Sequence, residues 1–252
     1  GVGYVGSVTL GCLASLGHDV IGIDISKSKV DSINKGLPPV KEPELDEIFS
    51  NNRDRISGSV SLGEVISTDL CFISINTPNK EDGTLFTDSI EKIILEILVL
   101  ALEFNRTLHL VIRSTVNPGT CQKITDEARK FCKKEAKKLD ANIPISISSM
   151  PEFLREGSAV HDFYNPPYVL CGIDESEHST EVKKLVNKLF SPIQAETLFV
   201  KQKTAEFIKL ANNSFHANKV AFTNEISSIA KSQGVDSVEL MEIFCSDDKL
   251  NI

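Results

Sequence analysis

An α/β fold on a doubly wound, mostly parallel sheet is predicted by three observations. Short apolar runs such as HDVIGID (18–24), LCFISIN (70–76) and LHLVIR (108–113) alternate with longer segments of helical periodicity as far as residue 190. Runs with no polar face suit strands covered on both sides, as in a parallel sheet with helices on both faces. The chain also opens on GVGYVG, a G-x-G-x-x-G string followed by small residues.

Taken in order, Tyr4 to Leu16 reads as a helix and His18 to Asp24 as a buried strand. Ser26 is placed to cap a helix that runs to Asn34 and stops at Gly36 and two prolines. Leu70 to Asn76 is a strand, Asp88 to Phe104 an amphipathic helix, Leu108 to Arg113 a strand and Gly119 to Lys138 a helix. Ile143 to Ser148 and Tyr168 to Gly172 are further strands, and Thr180 to Phe190 is a helix. A break over 191–200 separates this region from helices at Gln202 to Ser232 and Ser237 to Phe244. The expected domains are therefore 1–195, a dinucleotide-binding fold, and 196–252, a helical domain whose polar CSDDKLNI tail reads as unfinished. No internal repeat or low-complexity tract is present.

The 252 residues are 41% hydrophobic and 25% charged, which suits a chain able to bury a core. A formal net charge of -8 argues against a general phosphate-backbone binder, so no nucleic-acid partner is expected. No apolar run is long enough for a membrane-spanning helix, and no membrane partner is expected. The six cysteines are Cys12, Cys71, Cys121, Cys132, Cys171 and Cys245, with no C-x-x-C pair among them. That pattern predicts reduced thiols in a cytoplasmic protein, with neither a disulfide framework nor a metal site.

The glycine turn carries the first chemical reading. In a Rossmann-like βαβ unit, Gly1 allows the tight turn, Gly3 lets a pyrophosphate approach the backbone, and Gly6 lets the helix pack on the sheet. Tyr4 and Val5 lie between them at the helix start, where free N–H groups and the dipole favour an anion. The next strand ends at Asp24, near the expected spacing of ~20 residues, where a carboxylate accepts a ribose 2′-OH and repels a 2′-phosphate. NAD is expected over NADP. Lys29 reads equally as a contact to the adenosine ribose or as a solvated helix residue. The turn starts at the first residue, so a preceding strand is expected to be missing from this sequence.

Thr77-Pro78 and Ser114-Thr115 each follow a buried strand, where carboxyl ends face the ligand crevice of an open sheet. Their hydroxyls suit cofactor phosphate or ribose, and Thr115 suits a reacting water. The competing role is capping of the next helix. Lys209, Asn213 and His216 stand at i, i+4 and i+7, on one face of a helix. That stripe reads either as a solvated face or as Lys209 stabilising a developing oxyanion while Asn213 holds the reacting oxygen.

Four strings, INTPNKEDGTLFTD (75–88), IRSTVNPGT (112–120), MPEFLREGSAVHDF (150–163) and KLANNSFHANKVAFTNE (209–225), together with the glycine turn resemble the UDP-glucose/GDP-mannose dehydrogenase family along essentially the whole chain. The resemblance implies a Rossmann-like domain, then a long-helix central domain that forms a homodimer. It implies NAD-dependent, four-electron oxidation of a nucleotide sugar at C6, through a thioester, in polysaccharide biosynthesis. It also implies that Glu152 transfers a proton during thioester hydrolysis and that Phe153, Leu154, Arg155 and Glu156 form a substrate loop. Lys209 and Asn213 match the family's site helix. Met150 replaces the family's usual Asn, which removes any contact that Asn makes. His216 and the ending resemble the GDP-mannose branch; UDP-glucose or another UDP-sugar is the alternative, and a non-catalytic NAD-binding or dimer-forming module a third. A 6-phosphogluconate-type or hydroxyacid dehydrogenase ranks below these, because the strings at 114–120 and 151–157 speak against it. The family's nucleophile lies in a Gly-Gly-Ser-Cys segment, and the sequence contains none. The chain is therefore expected to be an interior piece of a longer enzyme, with Cys245 unsuited as nucleophile.

Overall fold

The computed structural model describes residues 1–139, 145–174 and 179–247, in two compact units, 1–207 and 208–252. In the first, α1 (Tyr4–Ser15), β1 (Val20–Ile23), α2 (Lys27–Asn34), α3 (Leu45–Asn51), β2 (Ile56–Ser59) and β3 (Cys71–Ile73) follow one another. Then come α4 (Asp88–Glu103), β4 (Leu108–Ile112), α5 (Thr120–Leu139), β5 (Ile145–Ser149), α6 (Ala159–Tyr164), β6 (Val169–Ile173), α7 (Ser179–Leu189) and β7 (Thr197–Lys201). α8 (Gln202–Ser232) begins in the first unit and runs into the second, where α9 (Ser237–Cys245) follows.

The strands pair in two groups. β1 lies parallel to β2, with Val20 opposite Ile56. The second group has the order β3-β4-β5-β6-β7 and is parallel except where β5 and β6 meet antiparallel at Ser149 and Gly172. Between those two strands the chain makes a loop and the short α6, with no long crossover helix to return it in a parallel sense.

The predicted alternation of strands and helices is present, with four additions. α3, β2 and α6 are short elements. β7 occupies the 191–200 stretch read as a break and pairs with β6, Thr197 opposite Val169, so the sheet continues past residue 195. β2 (ISGS) has weak strand character of its own, and neighbours hold it. The Asn34 side chain bonds the Gly58 N–H at 2.7 Å and its carbonyl at 3.0 Å, and a Cβ at Gly58 would stand 3.1 Å from the Val30 carbonyl. Ser26 sits at the N-cap of α2, but its hydroxyl pairs with Ser28 and does not cap. α2 stops, as expected, ahead of Gly36 at φ 77°. The start of the strand expected at Ile143, and the tail 248–252, lie outside the described residues.

Two apolar clusters hold the first unit. Ile90, Ile94, Ile97, Leu98 and Ala101 form the inward stripe of α4, packed with Ile73, Leu110, Ile112 and Ile147 of the strands and Ile124 and Ala128 of α5. α1 is apolar on most sides and packs with Phe49, Phe163, Val182 and Val186. A Cβ at Gly11 would lie 2.9 Å from the Phe49 ring, so that glycine sets the approach of α3. Gly172 does the same for α8: a Cβ there would meet Ala205 Cβ at 2.8 Å.

In the second unit, α8 ends in a Schellman motif, with Val235 N–H to the Ala230 carbonyl, Gly234 N–H to that of Lys231, and Gly234 at φ 73°. Asp236 caps α9 through Val238 N–H at 2.8 Å, and Phe222 meets Phe244 with ring centroids 5.7 Å apart. Among the described residues no helix is long and apolar enough to cross a membrane.

Leu98 is fully buried and Leu95, on the same helix, is 38% exposed. Leu98→Ala is expected to cost about 2–5 kcal/mol in urea unfolding with an unchanged slope, and Leu95→Ala no more than about 0.5 kcal/mol.

Candidate cofactor and substrate site

The glycine turn sits at the carboxyl ends of β1 and β3. A Cβ on Gly1 would stand 2.5 Å from the Ser74 carbonyl, and one on Gly6 would stand 2.0 Å from the Gly1 carbonyl. Only glycine fits at either position. Gly3 is different, because a Cβ there would meet nothing within 4 Å. The two outer glycines serve packing, and the middle one presents bare backbone to open space at the N-cap of α1. Tyr4 and Val5 are half-buried in the first turn of that helix.

Asp24 closes the turn from the end of β1. Its carboxylate accepts Val2 N–H and Ser26 N–H, each at 2.9 Å, with Lys29 Nζ 3.7 Å away. Burial works to raise its pKa, but the two amides and Lys29 outweigh it and hold the group below its usual range. Lys29 is thus neither wholly solvated nor aimed away from the site.

Thr77 and Ser114 do not cap helices. Thr77 donates its hydroxyl to the Thr115 carbonyl at 2.7 Å, and the Pro78 carbonyl accepts Phe86 N–H at 2.8 Å. The Ser114 hydroxyl accepts Ile75 N–H at 2.9 Å and donates to the Ile75 carbonyl at 2.7 Å. These bonds tie the loops after β3 and β4 together and place the half-buried Thr115 at the crevice edge. The capping of α5 comes from elsewhere: buried Glu206 of α8 accepts Gly119 N–H and Cys121 N–H.

Glu152 is half-buried just after β5, at the same carboxyl edge, where its carboxylate accepts Leu154 N–H at 2.6 Å. The buried Arg113 guanidinium lies within its electrostatic reach; burial lowers the Arg113 pKa, against a smaller raising effect from Glu152. Met150 is buried in the core. Phe153 stacks edge-on against Tyr168, and Leu154 packs on the core cluster of α1. Arg155 is committed to Asp162 by Nε at 3.0 Å and Nη2 at 2.6 Å, and Glu156 is exposed. In the second unit, Lys209 is buried while Asn213 and His216, on the same face of α8, are exposed.

Several residues at this edge were not singled out from the sequence. Ile25, 99% exposed, and Val60, 57% exposed, follow the paired ends of β1 and β2, where Ile23 lies opposite Ser59. Full exposure of an isoleucine directly after Asp24 is the signal, and it needs coordinates. Glu42 is a second case, buried and bonded to Tyr4, Gly157 and Ala159. No group able to hold a metal ion occurs among the described residues. Burial pushes the thiols of Cys12 and Cys171 up to about 12 and that of Cys71 up to about 11, and holds Cys121 well above its usual value. None of these four is an activated nucleophile.

Asp24, Glu42 and Asp162 all lie below their ordinary values, 3.8 for Asp and 4.5 for Glu. For Asp162 the Arg155 pair is the largest cause. For Glu42, bonds from Tyr4, Gly157 and Ala159 overcome burial. A carboxylate with a depressed folded pKa adds stability that is complete above the unfolded pKa and is lost as pH falls toward the folded one. Unfolding free energy is therefore expected to be level above about pH 5 and to fall below about pH 4. Asp24→Asn should flatten part of that acid limb in a pH series of urea titrations.

Comparison with known proteins follows the same map. Residues 1–194 match the NAD binding domain of the UDP-glucose/GDP-mannose dehydrogenase family, and residues 203–252 match its central domain. The GDP-mannose 6-dehydrogenase of Pseudomonas syringae pv. tomato is 38% identical over 255 residues, covering 100% of this chain and 56% of that protein. The UDP-glucose 6-dehydrogenase of Haloferax volcanii is 33% identical, covering 99% of this chain and 58% of that protein. The crystal structure of a ternary complex of GDP-mannose dehydrogenase from Pseudomonas aeruginosa superposes with a TM-score of 0.88 at 35% identity, covering 100% of this chain and 56% of that one. The chain thus spans about half the length of the relatives it matches. NAD is the cofactor to which the matched domain and the glycine turn both point. With both domain models matched in order and a solved relative sharing the fold, the chain belongs to the UDP-glucose/GDP-mannose dehydrogenase family.

Proposed function

We propose that this chain is the NAD-binding and site-helix part of a GDP-mannose 6-dehydrogenase, which oxidises the C6 hydroxyl of GDP-mannose to the carboxylate of GDP-mannuronate for polysaccharide biosynthesis. The observation that carries this reading is the open backbone at Gly3 beside the Asp24 carboxylate, at the carboxyl edge of the strands. It is the one glycine of the three with room in front of it, as a pyrophosphate requires. Similarity to GDP-mannose 6-dehydrogenases along the whole chain, together with His216, supports the substrate.

When bound, NAD supplies the hydride acceptor. The first-turn amides of α1 would hold its pyrophosphate at Gly3. Asp24, which already accepts Val2 and Ser26 N–H with Lys29 alongside, would accept a ribose hydroxyl on its remaining lone pairs. The exposed Ile25 and Val60 would offer an apolar surface to the adenine. Thr77, Pro78 and Ser114 shape the crevice wall, and the Thr115 hydroxyl orients a water. Lys209 stabilises the oxygen at C6 as it loses its proton, Asn213 holds that oxygen, and Glu152 transfers a proton during hydrolysis. The loop of Phe153, Leu154, Arg155 and Glu156, with His216, contacts the nucleotide sugar. The thioester requires a cysteine that this reading places outside the 252 residues, so this chain alone stops short of that step. Phe215, Phe222 and Ile229, exposed at heptad spacing on α8, are the seam proposed for a homodimer.

Gly3→Val is expected to leave the fold intact and weaken NAD binding by at least about a hundredfold in calorimetric titration, because the new side chain fills the pyrophosphate position. Gly6→Ala should lose stability as well, since its Cβ collides with backbone. In the full-length enzyme, two NADH per GDP-mannose and none from UDP-glucose is the expected stoichiometry. Two per UDP-glucose would reassign the substrate. Lys209→Ala there should lower kcat by about 100- to 1000-fold.

A further inference from the structure

Glu42 lies in KEPELDEIF, just ahead of α3, and reads from the sequence as one surface acid among several. In the structure it is 7% exposed. Its carboxylate accepts the Tyr4 hydroxyl at 2.6 Å, Gly157 N–H at 3.0 Å and Ala159 N–H at 2.7 Å. Tyr4 is the residue after Gly3, in the first turn of α1. Gly157 and Ala159 end the 153–158 loop and open α6, and Gly157 stands at φ 89°. A single buried anion therefore terminates three donors from two segments that are 115 and 117 residues from it on the loop side and 38 on the turn side. Its own position is fixed by α3, whose Leu45 and Phe49 are fully buried.

The geometry points to Glu42 as a positioning residue that joins the glycine turn to the 153–158 loop, so that a ligand in the turn is felt at the loop. This rests on the reading of the turn as the NAD site and of the loop as the substrate loop. Glu42 touches neither ligand on that reading. It acts through Tyr4 on one side and through the Gly157 and Ala159 amides on the other. A buried carboxylate with charge-assisted bonds to both is a stiff link, since losing any one bond leaves a buried polar group unsatisfied. Gln in its place keeps the shape but turns an NH₂ toward a donor.

The test combines calorimetric NAD titration with amide hydrogen exchange on the chain and its Glu42→Gln, Glu42→Ala and Tyr4→Phe variants, with circular dichroism reporting folding. In the parent chain, NAD is expected to slow exchange at Gly157 and Ala159. Tyr4→Phe keeps the loop amides on Glu42, so their exchange without NAD should be unchanged while the slowing by NAD is lost. Glu42→Gln should speed exchange at Gly157, Ala159 and Ser7 together and weaken NAD binding by roughly tenfold, with Glu42→Ala stronger in both respects. If Glu42→Ala fails to fold, the other two variants decide. NAD-induced slowing that survives in both of them would overturn the link and leave Glu42 a local brace. If the parent chain binds no NAD, the cofactor reading fails by itself. The link is then judged without ligand: faster exchange on both sides in Glu42→Gln supports it, and faster exchange at Gly157 and Ala159 alone overturns it.

Discussion

The carbonyl of Gly1 occupies the space that a side chain at position 6 would need, and much of the first unit depends on that close approach. It lets the N-terminus of α1 sit against the loop after β3, where Gly1 in turn rests on the Ser74 carbonyl. Val2 is fastened to Asp24 at the end of β1, and the Ser7 hydroxyl bonds the Val2 carbonyl at 3.1 Å. A few residues thereby hold the carboxyl ends of β1 and β3 in register, although the two strand groups share no ladder among the described residues. The crevice is a consequence of this contact, because Gly3, the one position with room before it, is carried between two that have none.

Carboxylates supply the second organising device. The loops of a carboxyl edge carry backbone N–H groups that no ladder satisfies, and buried amides need partners. Asp24 serves Val2 and Ser26, Glu42 serves Gly157 and Ala159, Glu152 serves Leu154, Asp162 serves Arg155, and Glu206 serves Gly119 and Cys121. Part of the acidic excess of the sequence is thus internal and acts as a set of anionic caps. Asp24, Glu42 and Asp162, the caps held below their usual range, bond the turn and the loop after β5, so the expected acid limb and the crevice share residues.

Helix α8 shows how one regular element takes different roles along its length. Its first turns are built into the first unit, with Gln202 Nε2 donating to the Ile147 carbonyl at 2.6 Å and Glu206 capping α5. Its later turns, from residue 211 on, are largely exposed and carry an apolar seam. The spacing of Lys209, Asn213 and His216 puts them on one face, but burial separates them, since helical period says nothing about where a covering surface ends.

The sequence by itself determined the long elements and the cofactor turn. Apolar periodicity over ten or more residues registers on its own, as in α4 and α5, and the three glycines with Asp24 form a spaced pattern that is legible before the contacts behind it are known. It could not determine β2 or β7, which are short and held by pairing, nor α3 and α6, which exist because they pack on α1. It named Thr77 and Ser114 but not their partners, and it passed over Glu42 and Glu206, because a glutamate inside a folded protein looks like any other glutamate until distant amides are brought to it. Local steric rules are written in neighbouring residues. The donors that satisfy buried Glu42 lie 38 to 117 residues from it, and only the tertiary structure closes those distances.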